Sequence, residues 1–515
     1  MSALPPSSVD PSEWIERAVR EHPDRLFLTT PAGQRLTYSQ LRDATGRIAG
    51  ALRSLGARVG DRIAVRVEKS TEAVLLYIAC LRIGVAFVPI NVAYSPAEVE
   101  YFLNDSKPRI AVVDPRDLPV LKPLAEAAGV EHIVTLEANG QGSLAELANR
   151  TAPLADAELG LGSESLAAIV YTSGTTGRSK GAMLTRANLA SNAVVLSDSW
   201  RFTGEDVLLH VLPLFHVHGL FAAINTVLAS GSGMVLLPKF DPAAALRYLD
   251  TVTVFMGVPT HYTRLLQEKE LDRSTTARMR LFVSGSAPLL AETHQEFARR
   301  TGHQILERYG MTETLMNTSN PYDGARVPGS VGPPLPGVQV RVVNAETGSV
   351  ETLPDAIGTL EIKGPNVFAG YWKDAEKTRR EFTSDGWFKT GDLGRVDANG
   401  YVHIVGRVKD LVISGGYNVY PKEVEVELDS VPGVVESAVF GVAHPDFGEG
   451  VTAAVVLKEG VNLTEAQLLE AIRPRLARYK LPKRIVLLRE LPRNTMGKVQ
   501  KNVLRETNAS LYTYD

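Results

Sequence analysis

The sequence predicts an α/β protein in two parts. A large N-terminal domain of mostly parallel sheets is flanked by helices and carries a β-rich subdomain; a small α+β C-terminal domain follows. Three observations carry this expectation. Short apolar runs bounded by Gly and Pro alternate with helical patterns over the first half of the chain. The texture changes near Gly337 to short alternating strands. The 515 residues are room for several domains at roughly 150 residues each.

The elements follow in order. RIAVRV, opening at Arg62, reads as a strand, 70–83 as a helix and AFVPI (86–90) as a strand. Ser95 is placed to cap a helix with Pro96 at its first position. RIAVVD (109–114) closes a β-α-β-α-β unit, the mark of a mostly parallel sheet. The pattern recurs at 166–250, and again from VTVFMGVP (252–259) to RLFVSGS (280–286). After Gly337, VQVRVVN, GTLEIKG and GYVHIVG form the β-rich subdomain. Beyond Lys409-Asp410, Glu423–Asp429 reads as a helix, 434–442 and 452–458 as strands, and Thr464–Arg478 as a helix. No proline-rich linker lies near 408–411, so domains 1–408 and 409–515 are expected to meet at a tight hinge.

Composition narrows the function. Lys+Arg is 55 against Asp+Glu 58, a formal charge of −3. That argues against a nucleic-acid protein, which usually shows a basic excess. Cys80 is the single cysteine, so no disulfide forms within the chain and no Cys-rich site exists. Its setting, AVLLYIACLRIG, predicts a buried structural thiol, and any thioester chemistry would draw its thiol from outside. The apolar stretch Ala73–Ile90 is interrupted by Arg82, Gly84 and Pro89 and does not read as a membrane span. The N-terminus lacks the basic start and apolar core of a signal peptide, so a cytoplasmic protein is expected.

Four motifs carry chemistry. Strand Leu166–Tyr171 runs into Thr172-Ser173-Gly174-Thr175-Thr176-Gly177-Arg178-Ser179-Lys180. Glycines let backbone N–H groups turn toward an anion, hydroxyls add donors and Lys180 adds charge, which is the physics of a phosphate cradle. It is not a Walker A sequence, because no Ser or Thr follows the lysine. Next, Glu307-Arg308-Tyr309-Gly310-Met311-Thr312-Glu313 offers an aromatic to stack on a base and a Thr/Glu pair for phosphate and Mg²⁺. Asp392 and Arg407, read at loop ends, can grip ribose hydroxyls. Lys498 ends Pro492-Arg493-Asn494-Thr495-Met496-Gly497-Lys498. Taken singly, the second motif is equally a solvated turn, the third a structural ion pair and the fourth an exposed lysine.

Their joint occurrence in this order resembles the adenylate-forming superfamily of acyl-CoA synthetases, luciferases and adenylation domains, from LTYSQLRDATGRIAGAL (36–52) to Lys498. The resemblance implies a mobile C-terminal domain and two steps: a carboxylate attacks the α-phosphate of ATP, then a thiol displaces AMP. It implies that loop 172–181, with Thr176 near the metal, holds the β/γ-phosphates. Tyr309 would stack on adenine, in a pocket lined by Gly285, Ser286 and Ala287 and the segment Glu307, Arg308, Gly310 and Met311. Thr312 would contact the α-phosphate and Glu313 Mg²⁺; Asp392 and Arg407 would hold the ribose. Lys498 would bridge carboxylate and α-phosphate, Gly415, Gly416 and Tyr417 would face the coenzyme A side, and Lys409 would occupy the hinge. Two departures stand out. The hinge residue is often aspartate in the family, and many members have proline before the loop lysine where this chain has Arg178-Ser179.

The stretch from Leu315 to Gly329 is unusually polar for a fatty-acid pocket. With MTETLMNTS and FHVHGL, it resembles malonyl-CoA synthetases. The expectation is therefore malonate, with ATP and coenzyme A as co-substrates. Arg326 would clamp the distal carboxylate as a fork. His216 and Ser284 would line the pocket, and Met316 would limit substituents at the α-carbon. Methylmalonate, another small acid, or a separate carrier-protein thiol are the alternatives. A monomer or weak homo-oligomer is expected.

Overall fold

The computed structural model describes residues 11–154, 161–172, 179–415, 417–494 and 497–512. The chain divides into two compact units, Met1–Gln339 with Ile362–Phe388, and Val340–Glu361 with Lys389–Asp515.

The first unit holds two sheets of mixed direction with parallel cores. In the seven-stranded sheet, Leu166–Thr172, Ala86–Pro89, Arg62–Arg66, Ile110–Val113 and His132–Thr135 run parallel in that order. Helix Thr71–Arg82 crosses between the first two of these in the chain. It is buried on nearly every side, which is why its sequence is apolar all round and why Cys80 is inaccessible. Burial pushes the thiol pKa up, away from reactivity. The expected helix start at Ser95 is a full capping box: Ser95 accepts from Glu98 N, Glu98 returns the bond, and Pro96 fills the first turn. One part of the recurring β-α-β reading needs correction. Leu166–Thr172 is followed by Lys180–Thr185 in antiparallel register, with Thr172 opposite Lys180, so this step is not a parallel β-α-β crossover.

The eight-stranded sheet has a parallel core in the order Leu306–Met311, Leu281–Ser284, Val254–Gly257, Val207–His210, Gly233–Leu236 and Leu26–Thr29. Leu315–Ser319 closes one edge antiparallel. Phe282 packs on Phe297 at 4.8 Å between centroids, and Phe297 on Tyr262 at 5.3 Å. These aromatics hold the middle strands firmly, so the carboxyl ends of four parallel strands form a rigid rim. In open α/β sheets that rim is where ligands bind.

The second unit pairs a four-stranded sheet (Gln339–Val343, Gly358–Lys363, Phe388–Val396, Val402–Arg407) with a five-stranded sheet built on Val434–His444 and Gly448–Leu457. The expected 408/409 boundary falls inside this unit, in the single turn Val408–Asp410. The helix expected over Thr464–Arg478 covers only Glu465–Ile472, because Pro474 biases the residues before it away from helix. Among the described residues, no helix is long and apolar enough to cross a membrane.

Candidate active site

Strand Leu306–Met311 brings Glu307 to Met311 to the rim and turns back into Leu315–Ser319. The pairing shifts register between Tyr309 and Gly310. A methyl group at Gly310 would lie 2.0 Å from the carbonyl oxygen of Leu315, so only glycine lets the returning strand approach this closely. Tyr309, Met311 and Thr312 are half-buried and accessible. Glu313 at the turn is buried, and its Oε1 accepts from the Tyr371 hydroxyl at 3.1 Å. Phe368 N donates to the Glu313 carbonyl at 2.8 Å. The same turn is held by Asn317 Nδ2 on Thr314 Oγ1 and Asn366 Nδ2 on the Thr314 carbonyl. The turn is thus a fixed scaffold, not a solvated loop.

Thr172 and Lys180 face each other in register. Lys180 Nζ lies 4.0 Å from Asp374 and 5.8 Å over the Tyr371 ring. Tyr371 therefore touches both the lysine and the Glu313 carboxylate. Ser173, Gly174, Thr175, Thr176 and Gly177 lie outside the described residues, as does Gly416.

The most informative group is Arg308. It is 3% exposed, and its Nε and Nη2 find no hydrogen-bond partner among the described residues. Such a group is costly to bury, and burial pushes its pKa down to about 9. Gly285 makes room for it: a methyl there would sit 2.4 Å from the guanidinium carbon. Ser284, in register with Glu307, carries a second buried orphan, its Oγ. His218 is a third, with Nδ1 3.2 Å from Ser286 Oγ and Nε2 unpartnered among the described residues. Burial, then the Arg308 charge, hold the His218 pKa well below the ordinary imidazole range. His210, at the end of its strand, donates through Nε2 to the Gly219 carbonyl at 2.8 Å. Its carbonyl takes Lys69 Nζ at 2.9 Å, and burial lowers the pKa of that lysine. Strand ends thus bring together several buried polar groups without partners among the described residues.

One expectation needs correction. Arg326 does not offer a free fork. It donates through Nη1 to Gln304 O (2.6 Å), through Nη2 to Tyr322 O (3.1 Å) and through Nε to Pro321 O (3.4 Å), so it ties its own loop to the segment before strand Leu306–Met311. His216 is half-buried and accepts from His218 N through Nδ1; the ring beside Ser286 is that of His218. Met316 is fully buried opposite Gly310, its backbone held by Asn192 from both sides.

In the second unit, Asp392 and Arg407 are opposite residues on neighbouring strands, 2.8 Å apart. Asp392 lies within a strand rather than at a loop end, as expected from sequence. Gly415 takes φ +60° in the tight turn between Val412–Ser414 and Tyr417–Val419, and Tyr417 stacks on Tyr479 at 4.8 Å. Lys498 follows Gly497 on a closed loop, and Asp410, beside Lys409, pairs with Arg505 at 2.6 Å.

The sequence pattern of the AMP-binding enzyme family matches residues 15–372, and that of the AMP-binding enzyme C-terminal domain matches residues 423–498. The chain belongs to the AMP-binding enzyme family. Within that family it is 38% identical over 520 residues to malonate–CoA ligase ACSF3, mitochondrial, of Mus musculus, covering 93% of this chain and 88% of the other. It is 34% identical over 501 residues to indoleacetate–CoA ligase of Aromatoleum aromaticum, with 96% and 97% covered. The crystal structure of ATP-bound MatB from Rhodopseudomonas palustris superposes with a TM-score of 0.95 at 53% identity, covering 98% of this chain and all of that one. For an AMP-binding enzyme, the polar groups that sequence reasoning missed are His218, Tyr371 and Lys69. His218 was legible as the second histidine of the FHVHGL run. Tyr371 and Lys69 had no local signal, since each meets its partner only through the fold.

Proposed function

We propose that this chain joins malonate to coenzyme A at the expense of ATP, through malonyl-AMP, giving malonyl-CoA, AMP and pyrophosphate. The observation that carries the acid is Arg308, a buried cation with two nitrogens unpartnered among the described residues, beside Ser284, Gly285 and His218. The distal carboxylate of a short diacid satisfies that guanidinium as a charge-assisted fork. A monoacid leaves it unpaired and is rejected by the desolvation cost. The clamp is therefore Arg308, with His218 and Ser284 as neutral polar walls and Met316 behind them.

The nucleotide roles complete the reading. Tyr309 stacks on adenine, Thr312 contacts the α-phosphate, and Lys180 with the hydroxyl-rich loop holds the outer phosphates. Asp392 and Arg407 hold the ribose, and Gly415, Gly416 and Tyr417 serve the coenzyme A side. Lys409, in a single turn, is the hinge between 1–408 and 409–515. The malonate oxygen attacks the α-phosphorus while the bond to pyrophosphate breaks, and Lys498 offsets the charge that builds on those oxygens. The coenzyme A sulfur then attacks the acyl carbon and AMP leaves, so no protein nucleophile is needed. Buried Cys80 accords with that.

Glu313 fits Mg²⁺. It is a single buried carboxylate at the turn, oriented by Tyr371, and no cluster of three or more acidic, His or Cys groups exists among the described residues. That donor set suits a hard cation that arrives on ATP phosphates and keeps water ligands. When bound, the ion neutralises phosphate charge. A cytoplasmic location and a monomer or weak homo-oligomer acting on free small molecules belong to the same proposal.

The test is incubation with ATP, Mg²⁺ and coenzyme A, comparing malonate, methylmalonate, acetate and octanoate by AMP and acyl-CoA formed. Malonyl-CoA with little product from the monoacids is expected. AMP release with acetate or octanoate but not malonate would discard the Arg308 clamp.

A further inference from the structure

The loop that carries Lys498 is closed by its own backbone. Asn494 N donates to Lys498 O (2.9 Å), Gly497 N to Asn494 O (2.9 Å) and Lys498 N to Asn494 Oδ1 (3.0 Å). Arg493 and Val499 form an antiparallel bridge across it, and Gly497 takes φ +74°. These bonds shape the loop but do not fasten it to the sheet. Leu491 and Val499 on either side of it pack into the core of that sheet, and Arg493 ties the turn itself down. Arg493 Nη1 donates to the Gly497 carbonyl at 2.6 Å, on the peptide immediately before Lys498. Its Nη2 pairs with Glu436 on strand Val434–His444. That strand is paired along its length with Gly448–Leu457, and Glu436 is in register with Val456. Both side chains are partly buried, with 29% and 23% exposure, so the pair is shielded from full solvent screening. A planar fork suits the task, since one guanidinium reaches a carboxylate and a carbonyl at once.

We infer that Arg493 and Glu436 are a positioning pair that fixes the Lys498 loop on the C-terminal sheet, and so serve adenylation but not thioester formation. The inference rests on the role given to Lys498 above. Lys498 acts only in the first half-reaction, so a device that aims it leaves the second untouched. Misplacing a reacting group by about 1 Å costs roughly 100-fold in rate.

The experiment uses the full chain with Arg493→Gln, Arg493→Lys and Glu436→Gln. Adenylation is read by malonate-dependent pyrophosphate exchange into ATP. Thioester formation is read by converting supplied malonyl-AMP to malonyl-CoA with coenzyme A. Arg493→Gln is expected to slow exchange by roughly 100-fold and to leave the second half-reaction near the parent rate. Arg493→Lys, which keeps one donor, recovers part of the loss, and Glu436→Gln has a smaller effect of the same kind. Amide hydrogen exchange gives a readout independent of substrate: Gly497 and Lys498 lose protection in Arg493→Gln while Val439 and Val455 keep it. Equal slowing of both half-reactions would reduce the pair to general stability and overturn the inference. So would unchanged exchange with unchanged protection. If the parent itself turns over another acid and not malonate, the acid assignment fails, and the variants are compared on that acid.

Discussion

Arg308 stands on a strand of the parallel sheet with two buried nitrogens unpartnered among the described residues, whereas Arg326 commits its guanidinium to the backbone carbonyls of Pro321 and Tyr322 in its own loop and of Gln304. Arg326 lies in the stretch whose polarity suggested a diacid, and Arg308 lies before it in the strand that leads there. The sequence makes Arg326 the more visible candidate, since it follows the motif as an isolated charge. The fold reverses that order. A loop without regular structure has carbonyls to satisfy, and a guanidinium with five donors satisfies them. A strand end at the rim of a parallel sheet has no such demand, so its arginine is left for a ligand. Polarity in a loop often serves the loop.

That contrast breaks most sharply at Arg308. Arg308→Leu is expected to cost malonate about 3–5 kcal/mol in kcat/KM, with acetate kinetics changed little. Gly285→Ala, which thrusts a methyl against the guanidinium carbon, should follow with a loss of roughly 100-fold expressed mainly in KM. Wild-type-like malonate kinetics in both variants would end the assignment. Arg326→Ala should act on the other side of the comparison. Loss of its three carbonyl bonds is expected to lower unfolding free energy by about 1–3 kcal/mol in urea titrations, while the malonate-to-acetate ratio stays put. A collapse of that ratio with unchanged stability would restore Arg326 as the clamp. The smallest effect is on pH. Burial holds His218 and His210 well below the ordinary imidazole range, so both are already neutral at pH 6 and gain or lose no proton up to pH 8. The malonate-to-acetate ratio should therefore stay within about twofold over that interval; a step near pH 6.5 would mean that a histidine titrates in the pocket.

Much of the architecture was legible, for physical reasons that differ by element. Ser95-Pro96 announced a helix because capping chemistry is local, and Thr71–Arg82 was visible from its apolar run Ala73–Leu81. Phe388–Val396 was not seen as a strand, because KTGDLGRV carries two glycines and three charges. It is a strand by virtue of pairing with Val402–Arg407. The same blindness placed Asp392 at a loop end. In the site, residue types at motif spacing pointed to a nucleotide, since phosphate and base recognition is written locally. The acid pocket was legible only as a region. Which arginine is free depends on where Gln304, Pro321 and Tyr322 direct their carbonyls, and no spacing rule encodes that.

The cleft that Gly285 opens for Arg308 also sets two selective pressures against each other. Exchanging the guanidinium for an aliphatic side chain of similar volume would relieve a buried charge and favour the folded state. Drift toward robustness therefore runs through the one position whose change would surrender discrimination. In descendants of this chain, a more heat-tolerant enzyme and a less choosy one are a single substitution away from being the same protein.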